Sequence, residues 1–441
     1  MSCFASRTVL TAVVATLSCV ARGATVDRSQ SPSTLSDQTK TSQPSPVSQI
    51  SDEEKPPEDS VFGTTGIEVA SADGRYRIHL WFRGQFRYTY PFDDAPTTAE
   101  GFDQPAVSSI NVRRARLKLG GNIYQPWLQY YLEYDFSKNQ LLDLRFTLSR
   151  YRWLQLRVGQ WKVNYNRERV DSSGRQQFVD RSIVNWYFTL DRQPGLMVGG
   201  HLWPDKRADS WYMFGVFNGN GRGASNDDAS MLWMARYRWN FLGRDLPYAQ
   251  TDVEYHEKPA GTLAFATSRN KSPYTRFSSA GGGQLDGFEE GEPGQYRLTQ
   301  LVEETAFKYR GFSLQHEFHW KKVVDNINRT TTDLRGTYAQ VGFFPNGLLG
   351  QFPKPLEPAF RYAWVDPDRI VPDDDREEFI VAVNCFLPAT TTSSLLTFRD
   401  LPWTSRKPFV WSTIESVLSG TLVFETQALC RTSPRCRLVA S

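Results

Sequence analysis

The sequence predicts an all-β fold, a transmembrane antiparallel β-barrel of about sixteen strands. Three observations predict it. Apolar and polar residues alternate over most of the chain, the alternating segments outrun ordinary globular strands, and residues 1–24 read as an export signal.

The chain has 441 residues, with 51 Lys and Arg against 48 Asp and Glu and a formal charge of +3, so charge balance alone names no partner. Phe, Tyr and Trp make up 14% while mean hydropathy is −0.48. A chain rich in strand formers yet polar on average excludes a polytopic helical membrane protein. The one uninterrupted apolar stretch, Val9 to Ala21, is shorter than the roughly twenty residues that a helical span needs. Arg7 precedes it and Ala21-Arg22-Gly23-Ala24 offers small residues for cleavage, so residues 1–24 are expected to be a secretory signal peptide, with an N-terminal anchor helix as the competing reading. Residues 25–65 are Ser, Thr, Pro, Gln and Asp with almost no large apolar side chain, which predicts a disordered linker. Cysteines stand at Cys3, Cys19, Cys385, Cys430 and Cys436, so residues 20–384 hold no disulfide framework and no Cys-based metal site.

The barrel is expected over residues 66–387. In the first segment Tyr76, Ile78, Leu80, Phe82, Gly84, Phe86, Tyr88 and Tyr90 share one face, and Arg75, Arg77, His79, Trp81, Arg83, Gln85, Arg87 and Thr89 the other. Its length of about 16 residues exceeds the usual five or six of globular strands. The pattern recurs. Ala115, Leu117 and Leu119 alternate with Arg114, Arg116 and Lys118; Leu128 to Phe136 alternate with Gln129, Tyr131, Glu133 and Asp135; Leu142 to Leu148 alternate with Asp143, Arg145, Thr147 and Ser149. Leu154, Leu156 and Val158 follow, then Trp233 to Phe241 around Arg236 and Arg238, and finally Phe360, Tyr362 and Trp364 around Arg361. Aromatics at segment ends, as in Tyr88-Tyr90 and Trp186-Phe188, suit interfacial girdles around an outward apolar band. Tyr309-Arg310-Gly311-Phe312 predicts a tight hairpin with Lys308 and Lys321 on polar faces, and Asn218–Asp228 and Ser278–Gly294 predict extracellular loops. At about 20 residues per strand with its connection, the count comes near sixteen.

A lumen selects ions by compensating lost hydration and opposing the wrong charge. Between Arg75 and Lys118 there are eight basic residues against four acidic ones, Asp93, Asp94, Glu100 and Asp103, and all the basic ones but Arg113 lie on polar faces. Two readings stand. The arginines are an anion filter, apt for phosphate because a guanidinium donates two parallel hydrogen bonds to an oxyanion; or they are ordinary lumen residues paired with Glu133, Asp135 and Asp143, as in a general or sugar-selective channel with weak charge preference. A secreted soluble carbohydrate-binding β-protein is the third alternative.

The motifs Arg113-Arg114-Ala115-Arg116-Leu117, Leu132-Glu133-Tyr134-Asp135, Leu156-Arg157-Val158-Gly159-Gln160-Trp161-Lys162 and Phe178-Val179-Asp180-Arg181-Ser182 resemble the phosphate-selective porin O and P family, over roughly Gly66 to Leu387. The resemblance implies a sixteen-stranded barrel in the bacterial outer membrane, usually a homotrimer in outer-membrane lipid, with constriction arginines selecting small anions such as phosphate. It carries the anion site over to Arg83, ahead of Gly84-Gln85-Phe86, and to Arg113 and Arg114. Arg77, Arg87, Arg116 and Lys118 complete the expected lumen set.

Other constellations point elsewhere. His316 and His319 are three apart, which on a strand sends them to opposite faces and away from shared metal binding. Gly219, Gly221 and Gly223 lack the spacing of a dinucleotide fingerprint. Asp373-Asp374-Asp375 with Glu377 and Glu378 reads as a solvated hairpin connection rather than a Ca²⁺ loop. No catalytic set, metal, cofactor or nucleic-acid site is therefore expected. Residues 388–441 form an atypical tail: alternation stops after Phe386-Leu387, and the chain ends Leu438-Val439-Ala440-Ser441 where such barrels carry an apolar strand with a final Phe. With suitable codons, Pro388–Leu395 in the adjacent frame spells a turn entering a strand, so the tail is read as a frameshifted closing strand, which the gene's nucleotides decide.

Overall fold

The computed structural model describes residues 67–89, 105, 107–174, 176–347, 349–372 and 374–386, with the backbone of 393–400, 414–417 and 420–422. The expected signal peptide, the 25–65 linker, Tyr90, the four acids from Asp93 to Asp103, and Asp373 lie outside the described residues, as does most of the tail.

A short strand β1 (Ile67–Ala70) is followed by β2 (Arg77–Thr89), β3 (Ser109–Asn122), β4 (Leu128–Asp135), β5 (Gln140–Tyr151) and β6 (Leu154–Lys162). After two short helices, α1 (Arg167–Val170) and α2 (Ile183–Phe188), come β7 (Arg192–Leu202), β8 (Ser210–Phe217), β9 (Leu232–Trp239) and β10 (Ala260–Ser272). A small hairpin, β11 (Arg276–Ser278) and β12 (Gly281–Gly283), precedes β13 (Tyr296–Tyr309), β14 (Phe312–Asp325), β15 (Thr331–Phe343), β16 (Leu356–Asp366) and β17 (Arg376–Phe386). The tail contributes β18 (Ser393–Asp400), β19 (Ile414–Val417) and β20 (Gly420–Leu422).

From β2 to β10 and from β13 to β18, each strand pairs antiparallel with the next in sequence, giving fifteen strands in one sheet. This meander is the architecture that the alternation predicted. β19 pairs with β18 and β20 with β2, beyond the expected boundary at 387, and among the described residues no pairing between β19 and β20 closes the sheet. β1 takes the other part of the same edge, with Ile67 opposite Leu80 and Ala70 opposite Arg77.

The two faces of the sheet are inverted relative to a soluble protein. Phe82, Phe86, Leu144, Phe146, Val158, Trp233 and Phe265 are exposed, whereas Arg87, Asp143, Arg238, Glu304, Lys321 and Arg361 on the opposite face are buried. A ladder that leaves apolar side chains outside and charged ones inside is stable only with hydrocarbon around it and polar partners or water within it. The segments read as alternating hold that division, including Trp233, Tyr237 and Trp239 against Arg236 and Arg238. The hairpin at Arg310-Gly311 forms as expected: Tyr309 pairs with Phe312, and both turn residues take positive φ, 48° and 82°, as a two-residue primed turn requires.

Four expectations are corrected. In the β2–β3 ladder Gln85 faces Arg114 and Phe86 faces Val112, so Arg113 is the extra residue of a bulge and the period of two breaks there. A second bulge opposite Glu133 and Tyr134 displaces Leu142, which is fully buried rather than on the outer face with Leu144. Trp186-Tyr187-Phe188 belong to no girdle: they form helix α2, with Tyr187 and Phe188 buried inside the barrel. The first segment is shorter than read, since Arg75 sits in the turn before β2 and pairs with Asp73 at 3.6 Å.

Leu144→Arg tests which face meets lipid. A charge there is expected to destabilise the barrel by about 2–4 kcal/mol near the bilayer midplane, read from reversible urea unfolding in lipid vesicles. An unchanged midpoint would place this face away from lipid.

Candidate functional site

The strand alternation sets the lumen wall, and the connection from β6 to β7 fills part of it. Alternation ends at Lys162 and resumes at Arg192. Between them residues 163–191 carry Asn, Arg, Glu, Asp and Ser beside Val163, Tyr165, Val184 and Phe188, too polar for lipid and too apolar for a free loop. The segment folds into the barrel and crosses it. The backbone N–H groups of Arg167 and Glu168 donate to Glu304 Oε2 (3.0 Å) and Glu317 Oε1 (2.6 Å), and Asn166 Nδ2 donates to Glu317 Oε2 at 3.1 Å. Two carboxylates from β13 and β14 thus satisfy the open N-terminus of α1. Glu168 in turn accepts from the backbone N–H and Oγ of Ser182, both at 2.7 Å, which ties the start of the loop to its second half.

Beyond α1 the loop reaches the opposite walls. Gln177 Nε2 donates to Glu357 Oε1 at 2.9 Å and Asn384 Nδ2 to the Gln177 carbonyl at 3.2 Å. Arg361 donates both terminal nitrogens to the Asp180 carbonyl at 3.1 Å while its Nε bonds Glu378 at 3.0 Å. Lys321 Nζ donates to the Tyr187 carbonyl at 2.8 Å, holding α2. From the other end of the barrel, residues 245–252 also turn inward. Tyr248 lies under Arg167, Arg236 and Arg238 at 5.2, 5.8 and 5.1 Å, and the Pro247 carbonyl accepts from Arg167.

These segments pack more tightly against one side of the lumen than against the other. On β13, β14, β16 and β17, Glu304, Glu317, His319, Lys321, Glu357 and Glu378 are all 0% exposed. On β2, β3 and β5, Arg83 keeps 8%, Arg116 9%, Lys118 7% and Arg145 6%. The arginines predicted from sequence sit on the β2–β5 wall, where these positions keep slightly more exposure while Arg87, Asp135 and Asp143 beside them are as buried as the far walls.

Their partners differ. Arg116 is compensated, with Nη1 on Glu133 Oε1 and Nε on Asp135 Oδ2, both at 2.8 Å. Lys118 stands 3.8 Å from Glu133, and Asp143 accepts from Arg192 at 2.6 Å. Arg77 lies near the start of β2, exposed, 3.5 Å from Glu68. Arg87 Nη2 donates to Asp180 Oδ2 at 2.6 Å. Arg83 and Arg114 are held differently: Arg83 donates to Ser172 Oγ (3.3 Å) and Ser173 Oγ (2.7 Å), and Arg114 to Gln85 Oε1. Among the described residues neither has a carboxylate in ion-pair reach. The bulge gives Arg113 a place here too, because its charge and that of Arg114 both act on Asp180. Burial opposes ionisation of that loop carboxyl, but Arg87, Arg113 and Arg114 outweigh it and hold it down at about 2. Arg181 on the same loop is lowered to about 9 by burial and by Arg169.

Sequence reasoning thus found the basic wall and missed the loop that faces it: Ser172, Ser173, Asp180 and the anchor Glu168. The available signal was the polar interruption of alternation between Lys162 and Arg192. The histidines fall as expected, His316 outward beside Glu303 at 3.3 Å and His319 inward on Glu317 at 2.9 Å. At the β16–β17 connection Asp366, Asp374 and Asp375 bring carboxylate oxygens within 4.8 Å of one another.

An apolar exterior, a charged interior and a loop folded across the lumen define an outer-membrane porin barrel. Residues 82–368 match the family "Phosphate-selective porin O and P", and the chain belongs to that family, which places it in the bacterial outer membrane. No curated protein matches the chain. Among solved structures it is similar to an anion-selective porin from Comamonas acidovorans, with 11% identity, 78% of this chain and 94% of the other covered, and a TM-score of 0.47. It is also similar to the outer membrane channel DcaP of Acinetobacter baumannii, with 11% identity, coverage of 80% and 96%, and a TM-score of 0.48. Pseudomonas putida OprB follows at 10% identity, coverage of 79% and 93%, and a TM-score of 0.44.

Asp180 accepts from Arg87 and feels the charges of Arg113 and Arg114, so Asp180→Asn is expected to raise anion selectivity, read as a larger anion-directed reversal potential under a KCl gradient. Because its folded pKa is depressed, Asp180 keeps its charge and its pairing above the ordinary carboxylate range and loses them only as pH falls through about 2. Wild-type selectivity should therefore stay level from neutrality down to about pH 4. A rise over that window, absent in Asp180→Asn, would show an unperturbed carboxyl.

Proposed function

We propose that this porin passes small anions by passive diffusion, inorganic phosphate being the leading permeant, through an arginine-lined lumen, that it works as a channel and not as an enzyme, and that it assembles as a homotrimer. The observation that carries the reading is the state of Arg83 and Arg114. Two guanidinium groups on the β2–β5 wall are oriented by the hydroxyls of Ser172 and Ser173 and by the Gln85 amide, which position them without cancelling their charge. A hydrated anion entering the narrowed lumen exchanges water for fork-like donors on one side and loop hydroxyls on the other. Arg87 and Arg113 flank this pair toward the β3 bulge. Arg116 and Lys118 come next and are already matched by Glu133 and Asp135, so attraction weakens past the site and release is not blocked.

The rival reading, a general or sugar-selective porin, draws on that same neutralisation. Single-channel recordings in planar bilayers separate the two. The expected result is an anion-selective reversal potential and block of chloride current by phosphate, both weakened in Arg83→Ala and Arg114→Ala and little changed in Lys118→Ala. Unselective or cation-preferring conductance in the wild type would support the general porin.

A further inference from the structure

One patch of the β2–β5 wall is not used by the arginine site. Next to Arg83 on the same face of β2 stands Trp81, and next to that His79, the two rings stacked at 4.5 Å. Trp81 approaches Tyr131 of β4 at 6.0 Å between ring centroids, across Gly120 of β3. A Cβ at Gly120 would lie 3.4 Å from the Tyr131 ring and 3.5 Å from Trp81, so the two rings close over this position. Lys118 Nζ sits 5.7 Å from the Trp81 ring and 5.9 Å from that of Tyr131, and Arg145 lies 4.7 Å from Tyr131. Tyr131 and His79 are buried, while Trp81 is partly exposed, and its indole N–H has no partner among the described residues.

An aromatic platform of this kind gives nothing to a compact hydrated ion. Phosphate has no apolar surface to bury, and the face of an aromatic ring carries the wrong sign for it. The platform suits a permeant with a flat or apolar body, and the flanking ammonium and guanidinium offset the negative ring faces. The spacing suits one molecule with both parts: residues two apart on one strand face are separated by about 7 Å, comparable to the end-to-end length of a small ring carrying a phosphoryl group. We infer that the preferred permeant is an organic anion, a phosphoryl or carboxylate group joined to a ring, with the head group at Arg83 and Arg114 and the ring on Trp81. This deepens the anion-channel reading and rests on it.

The test is block of chloride current by a matched pair, inorganic phosphate and phenyl phosphate, in wild type, Trp81→Leu, Trp81→Phe and Arg83→Ala. Aromatic contacts of this type are worth about 0.5–1.5 kcal/mol, so phenyl phosphate should block the wild type roughly two- to tenfold more tightly than phosphate. Trp81→Leu should abolish that preference while leaving block by phosphate unchanged, Trp81→Phe should restore part of it, and Arg83→Ala should weaken block by both. Equal block of the wild type by the two probes, or a preference that survives Trp81→Leu, overturns the inference while leaving the anion channel standing. Absence of block by either probe in the wild type overturns both.

Discussion

The structure depends on one constraint: a sheet in lipid must satisfy its own backbone and turn its polar side chains inward. The β2 to β18 meander meets it by pairing each strand with its sequence neighbour, so every outward position is free to be Phe, Leu, Val or Trp and every inward one is forced to be polar or to find cover. Buried charge follows directly. Arg116 between Glu133 and Asp135, and Arg361 between Glu378 and the Asp180 carbonyl, are consequences of facing inward, each cation matched by an anion or a carbonyl dipole.

The inward segment between β6 and β7 makes an otherwise even lumen one-sided. It is fixed by Glu304, Glu317 and Glu357 on the far walls, and among the described residues it bonds the β2–β3 wall through the hydroxyls of Ser172 and Ser173 and through Asp180. Rigid anchoring on one side and a lightly bonded boundary on the other is an economical way to narrow a wide barrel.

The strand faces and the hairpin at Arg310-Gly311 were legible because a period of two reports directly on which side of a sheet a residue occupies. The bulges were not. A bulge leaves no mark in composition, and Arg113 and Leu142 were assigned by a parity that the extra residue interrupts. Trp186-Tyr187-Phe188 misled for a different reason: aromatic pairs mark a lipid interface and a packed helix equally well, and only the position of α2 against β14 and β15 tells them apart. The basic wall could be read from sequence, but its division into compensated Arg116 and uncompensated Arg83 and Arg114 depends on register and on the serines of a distant loop, which no local pattern contains.

One feature of the seam reaches beyond permeation. The free edge of β2 is shared by β1 over Arg77–Leu80 and by β20 over Gly84–Phe86, while the far end of the sheet meets β19 over only Leu395–Phe398. Elsewhere neighbours are joined along most of their length, as in the full ladder between β13 and β14. The sheet therefore has its weakest joint where its two ends approach. The fewest backbone bonds hold this seam, so fraying of the sheet is expected to begin there.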